Sequence, residues 1–394
     1  VIIKNAGQII TFDSEGNFKL IKDKSIVIEN NIISDITDNK NNDDAIDASN
    51  MVVMPGFIDS HTHLAYAGTR ENELYMRSHG QSYLDILNLG GGIHKTMNDT
   101  ESSGEDKIFN ETIKRVDESI LNGTTYLEIK SGYGKTINGE RRLINAIKRI
   151  KSIYRNVKIT LLAHAVPDNI NEYDYAGYFI NNMIPAFKND VDFLDVFCDA
   201  GAFSRKSTEM ILEAGVSSRL KLKIHADELK NIGCIDLCKR FNFTSVDHLL
   251  NTRNDQLNYI KDSGAVATIL PVTAFSLDSD YVNAQRFINK KIDVAIASDA
   301  SPASYNSNMI FAIYLAVRYC NISLENAIKA ATINGARSLK IDESTGSIEP
   351  GKNADLIILD IDDYKKLPYM YMSRLVRYSF INGIKIVDNF NLIH

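Results

Sequence analysis

The sequence has no tryptophan, only 7 prolines and 4 cysteines in 394 residues, and no run of 18 uninterrupted apolar residues. The missing run excludes an ordinary transmembrane helix. The opening segment, VIIKNAGQIITFD, has neither the basic n-region nor the long apolar core of an export signal. The four cysteines (Cys198, Cys234, Cys238, Cys320) are sparse and unevenly spaced, which argues against a disulfide framework and for a reducing compartment, so the cytoplasm is the expected location. Cys234 and Cys238 lie four apart, but with no second Cys or His pair beside them they read as a helix stripe rather than half of a metal site. An excess of positive charge is also missing: 44 Lys and Arg against 50 Asp and Glu give a net charge of -6. Phosphate binding needs a clustered basic surface. The expected partners are therefore small molecules, not nucleic acid or membrane.

What is present is an ordinary globular composition, 44% hydrophobic and 24% charged, in a chain long enough for one large domain and a smaller one. Both ends read as short strands separated by turn residues: VIIKNAGQIITF, a turn at DSEGN and KSIVIENNIISDI at the start, then ADLIILDID, VRYSFING and IKIVDN at the end. Between them, apolar runs alternate with helix-length segments: TTYLEIKSG, VKITLLAHAV, DFLDVFCD, KLKIHADE, SVDHLL, AVATILP and IDVAIASDA. This alternation predicts parallel strands linked by helices, hence an α/β fold of the (β/α)8 TIM-barrel type. No Gly-rich phosphate fingerprint follows the first strand. Gly90–Ile93 (GGGI) follows LDILNL and reads as a flexible loop.

The chain has 8 histidines, and two of them fall in PGFIDSHTHL. In a strand, residues i and i+2 face the same side, so His61 and His63 point together into the barrel mouth. Alone, such a pair is explained by core packing about as often as by a ligand role. The context adds weight: His164 in LLAHAVP, His225 in KIHADE, His248 in VDHLL and Asp299 in IASDA each end a strand-like run, where a barrel builds its active site. Any one could be a hydrogen-bonded core histidine or a helix N-cap. Together they suit a transition metal such as Zn or Fe with an open position for water. A metal so held lowers the pKa of its water to about 7, which points to hydrolysis. Glu228, three residues after His225, and His248 are candidate proton carriers.

The segments PGFIDSHTHL and GSIEPGKNADLIILD resemble the metal-dependent amidohydrolase superfamily. GTRENELYMR, YLDILNLGGGI, LEIKSGYG, LLAHAVP, DVFCDAGAFS, KIHADE and DHL extend the likeness, in order, over nearly the whole chain, to the branch that opens the ring of 4-imidazolone-5-propanoate in histidine degradation. The resemblance implies a small β-sandwich domain assembled from residues 1–54 and 345–394, around a barrel at 55–344. It implies one divalent or trivalent transition metal ion, Zn or Fe, on His61, His63, His225 and Asp299, with Glu228, His248 and Asp299 as catalytic residues. Arg70, Tyr133, His164, Glu228, Ser301, Ala303 and Ser304 become substrate contacts. The product would be N-formimidoyl-L-glutamate, and an imidazolium near the metal would help to stabilise the oxyanion. The assembly implied is a homodimer. Arg70 makes chemical sense independently, since a guanidinium forks onto a carboxylate, although an ion pair with Glu71 or Glu73 would also explain it.

Two features pull against a plain match. Lys130 in LEIKSGYG stands where other superfamily members carry a carboxylated lysine between two metals, whereas the resemblance here favours one metal and a free amine. After Asp299 the family shows Asn and Gly where this chain has Ser301 and Ala303. Serine lacks the amide's paired donor and acceptor, and alanine resists a positive φ. The alternatives are a deaminase of a nucleobase or other cyclic amidine on the same barrel and, more remotely, a non-catalytic scaffold.

Overall fold

A computed structural model describes residues 1–13, 15–38, 45–81, 85–86 and 89–393. Strands β1 (Ile2–Ala6), β2 (Gln8–Phe12), β3 (Phe18–Ile21), β4 (Lys24–Glu29), β5 (Ile32–Thr37), β6 (Ile46–Asp47) and β7 (Val52–Pro55) come first. The order β5-β4-β1-β6 makes one sheet. The C-terminal strands β16 (Leu356–Leu359), β17 (Val376–Ile381), β18 (Ile384–Asp388) and β19 (Asn391–Leu392) join β7, β2 and β3 in a second, because β7 pairs antiparallel with β16 on one side and parallel with β2 on the other. Ile3, Ile26 and Ile28 of the first sheet share a buried core with Val53, Ile358 and Phe380 of the second. Neither set of terminal strands could bury its apolar face alone, so the two ends of the chain fold as one sandwich. The turn expected at DSEGN includes Ser14, which lies outside the described residues.

The barrel begins two residues after β7. Its strands are β8 (Phe57–Asp59), β9 (Thr124–Lys130), β10 (Val157–Ala163), β11 (Phe193–Cys198), β12 (Lys221–Ala226), β13 (Phe243–His248), β14 (Val266–Ile269) and β15 (Val294–Ile296), all parallel and in sequential order. The ring closes where the chain runs on past its first and last strands: Asp299 N donates to His61 O at 3.0 Å and His63 N to Ala300 O at 2.9 Å. The eight-stranded α/β barrel expected from the alternating runs is thus present, and its strands are buried on both faces. Gly56 is required where the sandwich hands over to the barrel, since a Cβ there would lie 2.1 Å from Thr125 Oγ1.

Two expectations fail. Cys198 and Cys234 are joined in a disulfide, with Cα atoms 6.1 Å apart, while Cys238 and Cys320 are free and buried. Linear spacing hid the pair because the adjacency of β11 and β12 brings the end of one strand to the segment that follows the other. The argument from free thiols to a reducing compartment therefore falls. Only Gly90 and Gly91 of GGGI remain loop, and Gly92 begins the helix Gly92–Glu101. Of the segment YLDILNLGGGI, Tyr83, Leu84, Leu87 and Asn88 lie outside the described residues. No helix among the described residues is long and apolar enough to cross a membrane.

Candidate active site

The extension of β8 carries His61 and His63 into the C-terminal mouth of the barrel, where they meet His225 from β12 and Asp299 after β15. His63 Nε2 lies 3.3 Å from each of His61 Nε2, His225 Nε2 and Asp299 Oδ1, and His61 Nε2 lies 3.6 Å from Asp299 Oδ1. A metal bonded at about 2.0–2.1 Å in tetrahedral geometry separates its donors by about 3.3–3.4 Å. His61, His63 and Asp299 thus converge at ligand spacing, and His225 reaches the same point through His63, a donor set of the chemistry that suits a transition metal ion. His248 forms an overlapping trio with His61 and His225, donors within 4.8 Å. Asp299 has φ +51°, and His248 and Leu249 have φ +76° and +68°, left-handed backbone of the kind that collects at functional sites.

Behind the donors lies a buried charge lattice built by alternate residues of the strands. Asp247 Oδ2 holds His61 Nδ1 at 2.7 Å, and Asp195 Oδ2 lies 3.1 Å from His225 Nδ1. Carboxylates so placed fix which nitrogen of each imidazole faces a metal. Lys130 Nζ sits 2.7 Å from Asp195 and 2.9 Å from Glu128, and Lys223 Nζ sits 3.1 Å from Glu128 and 3.9 Å from Asp247. Burial alone would lower the pKa of Lys130, but Asp195 and Glu128 hold it above the ordinary lysine value. Its amine is thus a charged partner of two carboxylates, which leaves no role for carboxylation. Formal charges in the lattice are +2 from the lysines and -3 from Glu128, Asp195 and Asp247, hence -1; Asp299 makes -2, the charge a divalent cation neutralises. Burial pushes Asp247 up, and Asp299 to about 6.

A cavity of about 520 Å³ opens over the donors, a size suited to a small molecule. His63, His225 and Asp299 form part of its wall, together with Glu228, His248, Tyr133, His164 and Arg70. Burial pushes the Glu228 carboxyl up to about 8, so it is protonated at neutral pH, and its Oε2 lies 3.5 Å from His248 Nδ1. Its loop is anchored: Asp199 accepts from Leu229 N and Lys230 N at 2.9 Å each, and Asn251 donates to Glu228 O at 2.8 Å. Burial lowers His164 to about 3 and His248 well below its ordinary value. Both are neutral imidazoles, in place of the expected imidazolium, because burial, His225 and Lys130 disfavour a further positive charge there.

The remaining expected contacts divide. Tyr133 is buried beside His164, ring centroids 5.1 Å apart. It is held there by Glu140, which accepts from Gly132 N at 2.9 Å and Gly134 N at 3.0 Å. Gly132 adopts φ +108°, which only glycine takes without strain. Arg70 does pair with Glu73, through Nε at 2.8 Å and Nη2 at 2.7 Å, and still faces the cavity. Ser301 and Ala303 border the cavity, and Ala303 does not adopt positive φ. Ser304 is buried, its hydroxyl 3.0 Å from that of Ser276, and does not border the cavity. Sequence reasoning missed Glu140, Asp195 and Asp247, and named Glu73 only as a rival partner for Arg70. Their only signal was a charged residue inside an apolar strand or a first helical turn.

Residues 52–385 match the Amidohydrolase family. The chain is 39% identical to an imidazolonepropionase of Thermoplasma volcanium over 98% of each chain, and 39% identical to an imidazolonepropionase of Thermoplasma acidophilum over 94% of this chain and 91% of that one. Its fold is similar to that of a zinc-complexed atrazine chlorohydrolase from Arthrobacter aurescens, with a TM-score of 0.72 at 16% identity, covering 100% of this chain and 96% of the other.

Proposed function

The chain belongs to the amidohydrolase family and, within it, to the imidazolonepropionases, and from that premise we propose that it hydrolyses the ring amide of 4-imidazolone-5-propanoate, giving N-formimidoyl-L-glutamate in histidine degradation. It is a hydrolase of carbon–nitrogen bonds that depends on a metal, and its metal is zinc or iron. The observation that supports the reading is the meeting, in one cavity, of His63, His225 and Asp299, the Glu228–His248 pair and Arg70.

His61, His63, His225 and Asp299 would hold the ion. When bound, it supplies Lewis acidity and makes a water molecule acidic near neutral pH. Asp299, which accepts a hydrogen bond from Thr273, is placed to orient the attacking water. Addition of that water to the ring carbonyl releases a proton, which Asp299 can accept, and cleavage of the C–N bond leaves a nitrogen that must take up a proton. Glu228 is protonated and faces the cavity, so it can donate that proton, with His248 as its relay. Neutral His164 can offer one ring nitrogen to the substrate ring, and the aromatic face of Tyr133 restricts the ring's tilt. Arg70 would bind the propanoate arm.

Metal-loaded protein incubated with freshly generated imidazolone propanoate should bleach its ultraviolet absorbance with formation of N-formimidoyl-L-glutamate. Failure there, with ammonia release from a nucleobase, would replace this reading with a deaminase.

A further inference from the structure

Helix α1 (Glu71–Ser78) begins beside the cavity with Arg70 as its N-cap residue. Positions 70, 73 and 77 fall on one face of such a helix, and Arg70 and Arg77 both border the cavity. Their situations differ. Arg70 spends Nε and Nη2 on Glu73, whose Oε1 also accepts from Gly92 N at 2.7 Å. Arg70 and Glu73 are therefore a formally neutral pair, with only the guanidinium edge at Nη1 left for a further partner. Arg77 has no ion pair or hydrogen bond from its side chain among the described residues, and it is half-buried. The charged groups on the cavity wall are Arg70, Arg77, Glu228 and Asp299. Glu73 neutralises Arg70, and Asp299 belongs to the metal donors. Arg77 also acts on Glu73, whose carboxyl its charge helps to lower, so the two arginines share one carboxylate and the three side chains together carry a formal charge of +1.

Resting on the reading of an anionic substrate given above, we propose that Arg77 is a specificity-determining residue that balances the charge of the substrate's carboxylate, while Arg70, aimed by Glu73, fixes its direction. A carboxylate docked on the Arg70–Glu73 pair alone would meet no net positive charge and would lie close to the Glu73 carboxylate. Arg77 supplies the missing charge from one helical turn further on. It stands on the helix that borders the cavity, whereas the donors come from the barrel strands and the segments that follow them, so its contribution falls on binding and not on the bond that breaks.

The test compares wild type with Arg77→Gln and Arg77→Lys, each metal-loaded. In Arg77→Gln the KM for imidazolone propanoate should rise about tenfold with a smaller change in kcat, as for loss of one charge-assisted contact. Arg77→Lys, which keeps the charge, should recover most of the loss. Calorimetric titration with imidazole-4-propanoate and its methyl ester separates charge from folding. Arg77→Gln should weaken binding of the acid about tenfold and leave the ester as in wild type. Acid binding and KM at wild-type values in Arg77→Gln would overturn the inference alone, as would equal weakening of acid and ester. Absence of turnover by the wild type would overturn the function and the inference together.

Discussion

Replacing Glu228 with Gln should separate catalysis from stability. The carboxyl is largely buried, its side chain 14% exposed, and burial with the nearby Asp299 and Asp199 raises it to about 8, so roughly 90% of it carries its proton at pH 7. Glutamine keeps the volume and a hydrogen-bond donor toward His248 but has no proton to give. Loss of a positioned acid–base group costs about 10²- to 10⁴-fold, or about 2.7–5.4 kcal/mol of transition-state stabilisation, and it should appear in kcat measured by the decay of substrate absorbance. The wild-type kcat should fall as pH rises through about 8, where the acid form disappears, and that limb should be missing in the variant. Stability moves the other way. A carboxyl whose folded pKa lies above its unfolded value of 4.5 leaves the fold unaffected below pH 4.5 and weakens it between pH 4.5 and about 8, by up to about 1.4 kcal/mol per pH unit. Glu228→Gln should therefore be more stable than wild type at pH 8 and equal to it near pH 4, in denaturant titrations at each pH. A variant that keeps kcat within about threefold, or retains the alkaline limb, would remove Glu228 from proton transfer.

Asp247→Asn should weaken metal binding by about 10- to 100-fold, measured by chelator competition, because the carboxylate that orients His61 Nδ1 at 2.7 Å is gone; unchanged affinity would mean that the imidazole is held by packing alone. Arg70→Ala should raise KM more than it lowers kcat, and an unchanged KM would take Arg70 out of the substrate site. Thiol titration of the denatured protein should find two free cysteines before reduction, Cys238 and Cys320, and four after it. Opening the Cys198–Cys234 bridge, which spans 36 residues, should cost about 3.8 kcal/mol by the loop-closure relation, read as a shift in denaturant midpoint; four free thiols without reductant would refute the bridge.

The barrel was legible because strands buried on both faces leave apolar runs, and His61 and His63 were legible because period-two spacing in a strand has one geometric meaning. The same period holds the part that escaped. Glu128 and Lys130, Asp195 and Phe197, and Lys223 and His225 are each i, i+2 pairs, so they face the barrel interior together. In LEIK, DFLDVF and KLKIH they look like scattered charges in apolar strands, and only closure of the ring makes them neighbours. Cys198 and Cys234 escaped for the same reason; the Arg70–Glu73 pair was foreseen, but that it also faces the cavity depends on where the first βα loop places its helix.

These charges also give the cavity a direction. At the donor end, the lattice and Asp299 sum to -2, and a divalent ion brings that end to formal neutrality. At the helix end, Arg70 and Arg77 share the single carboxylate of Glu73, which leaves a formal charge of +1. A loaded site is therefore neutral at the end where a ring carbonyl would be attacked and positive at the other. An anion with one carboxylate and one neutral ring has a single favourable orientation in such a field: carboxylate to the arginines, ring to the metal. A neutral nucleobase gains nothing from Arg77, and a substrate with negative charge on its ring would be drawn to the wrong end. The charge separation along the cavity thus selects both the class of substrate and the end that reacts.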